Sequence, residues 1–113
     1  MAVQPVLFGP VAGVTSYTNT SSGRYTPSGS TNAVVKQVVF CNTAATAATV
    51  TLGVYTSTTG GSDLAAQRIL SSTSIGANET ITYNTNTYIA NGRIMYFVTS
   101  ASTVTVTINA YEE

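Results

Sequence analysis

The chain has 113 residues, with four Lys plus Arg, four Asp plus Glu and no His, so its formal net charge is zero and only 7% of it is charged, far below the roughly 25% of an ordinary soluble domain. Polarity comes instead from hydroxyls, since 21 Thr and 12 Ser occupy 33 positions while Lys occurs once. The lack of His removes every catalytic scheme or metal site that needs imidazole, one Cys allows neither an internal disulfide nor a thiolate zinc site, and no basic excess exists to neutralise nucleic-acid phosphates or an anionic membrane surface.

Residues 3–10 carry Pro5 and Pro10 within an apolar run, which suits an edge strand or an extended arm and not a central strand. Such an arm needs a surface to lie on, either its own domain or a neighbouring subunit. Residues 18–31 are rich in Ser, Thr and Gly and read as a long loop or irregular hairpin, too short and too early to separate domains. Residues 33–41 and 93–99 are apolar on both faces, the pattern of central strands or of strands whose second face meets a partner. Lys36 lies in the first of them as a strand-face cation.

Residues 48–55 and 103–111 alternate, placing Ala48, Val50, Leu52 and Val54, and Val104, Val106, Ile108 and Ala110, on one face. Each is a half-buried strand, and Thr suits its polar face because the β-branched stem fits the pleat while the hydroxyl meets water. Residues 63–70 admit a short helix capped by Ser62 or Asp63, but a turn leading into a strand over 67–72 fits the spacing better. Gly76-Ala77-Asn78 is a breaker, and Asn91-Gly92 signals a two-residue hairpin between residues 87–90 and 93–96. Short strands at this spacing predict an all-β fold: a single-domain antiparallel β-sandwich, jelly-roll or Ig-like, of about eight strands. Residues 1–30 supply an N-terminal arm and irregular loop of that domain, and residues 31–113 its core.

A Ser-Lys pair through Lys36 is the one nucleophile-and-base arrangement left open, against the plainer reading of Lys36 as a strand-face cation; Asp63, Glu79, Glu112 and Glu113 supply no paired carboxylates and no calcium loop, and no phosphate-binding glycine motif occurs. Glu112 and Glu113 are terminal and expected to be solvated, and Cys41 closes an apolar run as a small buried hydrophobe. The expectation is a non-enzymatic chain with no cofactor and no metal. Tyr17, Tyr25, Tyr55, Tyr88 and Tyr111 are the candidates for ring faces that stack a sugar, against the plainer reading of Tyr as a favoured strand residue with a wet tip.

The segments 34–43, 48–52, 76–81, 91–94 and 103–108, with their lysine-strand-Cys41-Asn42-Thr43 element, Gly76-Ala77-Asn78 turn and closing Thr-Val strand, resemble small β-sandwich virion proteins of tailed bacteriophages. The resemblance covers residues 31–111; where such proteins often have Pro-Ala-Asn-Gly, this chain has Gly76-Ala77-Asn78-Glu79. It implies a capsid decoration or cement protein, made in the bacterial cytoplasm and bound to the exterior of the phage head. Its partner would be the major capsid protein and its state a homo-oligomer, a trimer foremost, with no nucleic acid or membrane partner. The alternatives are a neck, tail or fibre-associated virion protein, or a glycan-binding sandwich module. Val3, Pro5, Val6, Leu7, Phe8, Arg24 and Tyr25 are the candidate assembly contacts.

Overall fold

A computed structural model describes residues 3–13, 23–55 and 67–113. Among them are eight strands: β1 (Gln4–Ala12), β2 (Arg24–Tyr25), β3 (Ala33–Asn42), β4 (Ala48–Val54), β5 (Arg68–Ile75), β6 (Thr80–Ile89), β7 (Met95–Thr99) and β8 (Val104–Glu112). They form two four-stranded sheets, a front sheet in the order β1, β8, β3, β6 and a back sheet in the order β2, β7, β4, β5. All pairings are antiparallel, and they include β1 with β8, β2 with β7, β3 with β6 and β4 with β5. Each strand thus pairs with the one that makes the two strand numbers sum to nine, as when one long hairpin is wound around a core. That is the jelly-roll arrangement, and it decides between the two sandwich topologies open to the sequence.

The winding explains one failed expectation. Asn91 and Gly92 do form a turn, with the Arg93 amide donating to the Ala90 carbonyl at 2.9 Å and Gly92 at φ 84. Yet β6 belongs to the front sheet and β7 to the back, so the turn carries the chain between layers and closes no hairpin. Among the described strands, only β4 and β5 are consecutive in the chain and share a sheet. Residues 68–70 of the alternative helix belong to β5; its cap at Ser62 or Asp63 lies outside the described residues.

The core follows from alternation. Val104, Val106, Ile108 and Ala110 of β8 and Val35, Val38 and Phe40 of β3 are buried and meet Val50, Leu52 and Phe97 of the back sheet. β3 and β7 are interior strands of their sheets, as their apolar runs require. A second, smaller cluster stacks Tyr55 on Tyr96, ring centroids 4.7 Å apart at 23°. Tyr96 lies opposite Gly53 on β4, where a Cβ would stand 2.5 Å from the Tyr96 hydroxyl. The glycine makes room for the ring.

The two ends are closed by asparagines. Asn42 is fully buried; its Nδ2 donates to the carbonyls of Thr46 at 2.9 Å and Gly76 at 3.2 Å, and its Oδ1 accepts from the Ala44 amide at 3.1 Å. At the opposite end Asn91 Nδ2 donates to the Gly29 and Thr31 carbonyls at 2.7 and 2.9 Å. Because Asn42→Ala strands several backbone groups away from water, it should cost about 2–3 kcal/mol. Differential scanning calorimetry should then register a fall in Tm of roughly 10 °C; an unchanged Tm would contradict the buried role.

Candidate functional site

In an antiparallel pair, residues directly opposite project from the same face, so register alone builds the outer surface of the front sheet. Val34 on β3 lies opposite Tyr88 on β6 and Tyr111 on β8, and Tyr111 lies opposite Pro5 on β1. This makes an apolar row across the strands. A parallel row is made by Asn84, Gln37, Asn109 and Leu7, since Gln37 faces both asparagines and Asn109 faces Leu7. Its amides are linked, Asn109 Nδ2 donating to Gln37 Oε1 at 3.0 Å and Gln37 Nε2 to Asn84 Oδ1 at 3.3 Å.

Lys36 stands between the rows. From Val35 to Gln37, β3 takes two steps while β8 takes one, from Ala110 to Asn109. A bulge of this kind bends the strand and re-aims a side chain. Lys36 and Gln37 accordingly interrupt the alternation, exposed and half-buried, between buried Val35 and Val38. Lys36 Nζ donates to Asn86 Oδ1. The surface forms a cleft of about 800 Å³ bordered by Leu7, Lys36, Gln37, Asn84, Asn86 and Asn109. A neighbouring cleft of about 450 Å³ is bordered by Val3, Val34, Lys36, Tyr88, Tyr111 and Glu113.

The candidate assembly contacts separate by the same alternation. Residues 4–12 pair with β8, so this segment is an edge strand lying on its own domain. Pro5 and Leu7 point outward, and Val3 is also exposed; Val6 and Phe8 are half-buried and pack on the core. Tyr25 is buried, its ring 5.7 Å from that of Phe8, and Arg24 is half-buried. Tyr25 and Phe8 are thus committed to each other inside the sandwich, which removes Tyr25 as a surface contact in this fold. Of the tyrosines considered as ring platforms, Tyr25 and Tyr55 are buried, Tyr88 and Tyr111 are exposed, and Tyr17 lies outside the described residues.

Glu112 departs most from expectation. It is 4% exposed, where a terminal carboxylate was expected in water. Its Oε2 accepts from the Tyr25 hydroxyl at 2.5 Å, and its Oε1 accepts from the Ser28 hydroxyl at 2.5 Å, the Ser28 amide at 3.3 Å and the Thr31 hydroxyl at 3.2 Å. Burial pushes its pKa up, but the bonds from Ser28, Tyr25 and Thr31 outweigh burial and hold it below its ordinary 4.5. The signal was present, because the period of two that runs through Val104, Val106, Ile108 and Ala110 reaches Glu112 on the inner face.

Cys41 is half-buried and not buried, since it alternates outward between buried Phe40 and Asn42. Glu79 Oε1 accepts from the Gly76 amide at 2.7 Å and closes the turn through Asn78, which holds φ 53. Among the described residues no group of three or more His, Cys, Asp or Glu could hold a metal ion, and no helix is long and apolar enough to cross a membrane. Comparison with family models, curated proteins and solved structures finds no match. The chemistry available on the front face is therefore read from its own described residues: amide donors and acceptors, the phenol rings of Tyr88 and Tyr111, the Lys36 ammonium and, beside the tyrosines, the Glu113 carboxylate.

Proposed function

We propose that this chain is a non-enzymatic structural component of a phage virion, a capsid decoration protein that binds the major capsid protein on the outside of the head as a homo-oligomer, a trimer foremost. The observation that carries this reading is the edge formed by β6. Its ten residues contain no charge and no proline, the residues that normally block the edge strands of free monomers, and its one register shift, between Asn84 and Thr87 against β3, leaves Thr80 to Tyr83 regular. β1, at the other edge, has Pro5, Pro10 and a register shift between Phe8 and Val11. β5 begins with Arg68, and β2 is two residues long. An edge without charge or proline is tolerable where neighbours cover it permanently, and the outward Pro5 and Leu7 lie on the same sheet, with exposed Val3 just before it. The sequence resemblance supports the same role, as does the recurrence of jelly rolls among viral capsid domains, an analogy of fold that by itself assigns no function.

Stapling needs no chemistry. Each copy buries surface against its neighbours, on the scale of about 800 Å² per partner for a standard interface, and many weak contacts act together through multivalency. Quantitative mass spectrometry of purified particles should count hundreds of copies of this chain. A few dozen or fewer would move it to the neck, tail or fibres, and none would overturn the virion reading. Thr80→Lys with Thr82→Lys, which puts charge on the β6 edge without touching the core, should lower the oligomeric state seen by light scattering; an unchanged oligomer would show that β6 does not make the contact.

A further inference from the structure

The front face carries further observations, centred on Tyr88, Tyr111 and the amide row, that stapling does not use. The large apolar or aromatic side chains most exposed among the described residues are Val3, Leu7, Tyr88 and Tyr111, and register or cleft lining places all of them on this one face. Tyr88 and Tyr111 are separated by the single strand β3, with Val34 between them. At about 4.8 Å per strand, their origins stand about 10 Å apart. Within the same cleft system lie Asn84, Gln37 and Asn109, linked amide to amide.

Hydroxyl-rich rings with apolar C–H faces match this surface on both counts. A phenol ring offers an apolar face for the C–H side of a sugar, while an amide supplies a donor and an acceptor together, as a sugar hydroxyl demands. A protein partner would instead favour a drier centre of aromatic and aliphatic anchors.

Charge narrows the class further. Among the described residues, Lys36 is the one ion bordering the larger cleft, and no carboxylate borders it. The side-chain partner that Lys36 meets is the neutral amide of Asn86, so its charge remains uncompensated within that cleft. Lys36 also borders the smaller, neighbouring cleft, together with Glu113, Tyr88 and Tyr111, so the larger cleft with its amide row is the side on which the acidic group of a ligand meets Lys36 away from a carboxylate. We propose that the outer face of the front sheet binds an acidic oligosaccharide, with Tyr88 and Tyr111 as stacking platforms, Gln37, Asn84 and Asn109 as hydroxyl partners, and Lys36 as the partner of a sugar carboxylate.

The test is a printed array of neutral, uronate-bearing and sialate-bearing oligosaccharides probed with the full chain, followed by calorimetry with tetragalacturonate and its fully methyl-esterified counterpart, which keeps the sugar chain and replaces each carboxylate by a neutral ester. Uronate or sialate spots should bind, and tetragalacturonate should bind more tightly than the ester. Tyr88→Ala and Tyr111→Ala should each weaken binding by roughly tenfold. Lys36→Gln should cost about fivefold for the acid, the scale of one exposed ion pair, and leave the ester unchanged. All three side chains lie on the exposed face, and circular dichroism with thermal melting checks that each variant folds as the parent does.

A flat array overturns the proposal, as does binding that survives both tyrosine substitutions. Equal affinity for acid and ester overturns the role of Lys36 and the acidic class. If Tyr88→Ala or Tyr111→Ala changes the oligomeric state in the absence of sugar, the face is covered by a second copy and the glycan assignment fails. None of these outcomes bears on copy number in particles, so this proposal and the virion reading fail separately.

Discussion

Replacing Phe97 with Ala should lower the unfolding free energy by about 3–5 kcal/mol, the range for removing a buried aromatic ring and leaving a cavity. Phe97 is 1% exposed and lies opposite Leu52 within the back sheet. It also reaches across the sandwich, its ring 6.5 Å from Phe8 at 64°, while Phe8 packs on Tyr25 at 5.7 Å and 59°. Such edge-on and tilted pairs add to the value of the buried area alone. The three rings tie β1 of the front sheet to β2 and β7 of the back, so the cavity opens between layers that the backbone ladder does not join. A domain of this length has a total stability of roughly 6–17 kcal/mol, and the loss is a large part of it. Urea unfolding followed by tyrosine fluorescence should show a midpoint lower by about 2 M or more with an unchanged slope. A drop below about 1 kcal/mol would mean that the layers do not meet at Phe97.

Glu112→Ala should cost about 3 kcal/mol, because it leaves the buried Tyr25 hydroxyl and the Ser28 and Thr31 donors without their acceptor. Glu112→Gln keeps one acceptor oxygen but turns an NH₂ toward a donor, so it should recover only part of the loss. The pH dependence has a definite sign. Glu112 is held below its ordinary 4.5 in the folded chain, so the unfolded chain takes up the proton first. Its contribution is full above the unfolded value and disappears as pH falls through the folded one. Burial, followed by the hydrogen bond and the charge of Glu112, raises the Tyr25 phenol well above its ordinary 10.0. The unfolded tyrosine therefore ionises first, and stability is lost as pH rises beyond about 10. Chemical denaturation across pH should give a plateau with both flanks falling, and Glu112→Ala should flatten the acid flank. An unaltered acid flank in that variant would place the responsible carboxylate elsewhere.

This network also has a structural consequence. Glu112 sits at the end of the last strand and gathers Tyr25, Ser28 and Thr31, while the Asn32 and Glu113 backbones exchange hydrogen bonds at 2.9 and 3.0 Å. The segment between β2 and β3, which has few apolar residues of its own, is held by polar contacts to the chain's last residues. Glu112 of β8 in the front sheet thereby reaches Tyr25 of β2 in the back sheet, so this latch ties the two layers at that end of the sandwich.

Periodicity within single strands was legible from the sequence. The alternation of residues 103–111, the doubly apolar runs at 33–41 and 93–99, and the prolines of residues 3–10 predict half-buried, interior and edge strands respectively, and the structure has each in that place; the alternation predicted over 48–55 gives way in β4 to burial of all four residues from Val50 to Gly53, with Val54 half-buried, because β4 is an interior strand. These follow from local physics, because a strand's side chains alternate whatever it pairs with and proline cannot donate to an inner ladder. Composition likewise left no imidazole, one thiol and scattered carboxylates, whatever the fold.

Pairing decided the rest. Asn91-Gly92 has the local chemistry of a hairpin, but which sheet receives the next strand depends on where every other strand already lies. Tyr88 and Tyr111 are 23 positions apart and become neighbours only because each is registered to Val34. Lys36 looks like any strand-face cation until the register shift against β8 turns it and Gln37 outward together. Taken one residue at a time, Tyr25 and Glu112 have the sequence signature of surface groups, yet each satisfies the other inside the sandwich. A sequence specifies which face a side chain takes along its own strand; only the tertiary structure, through long-range register, specifies what lies opposite it.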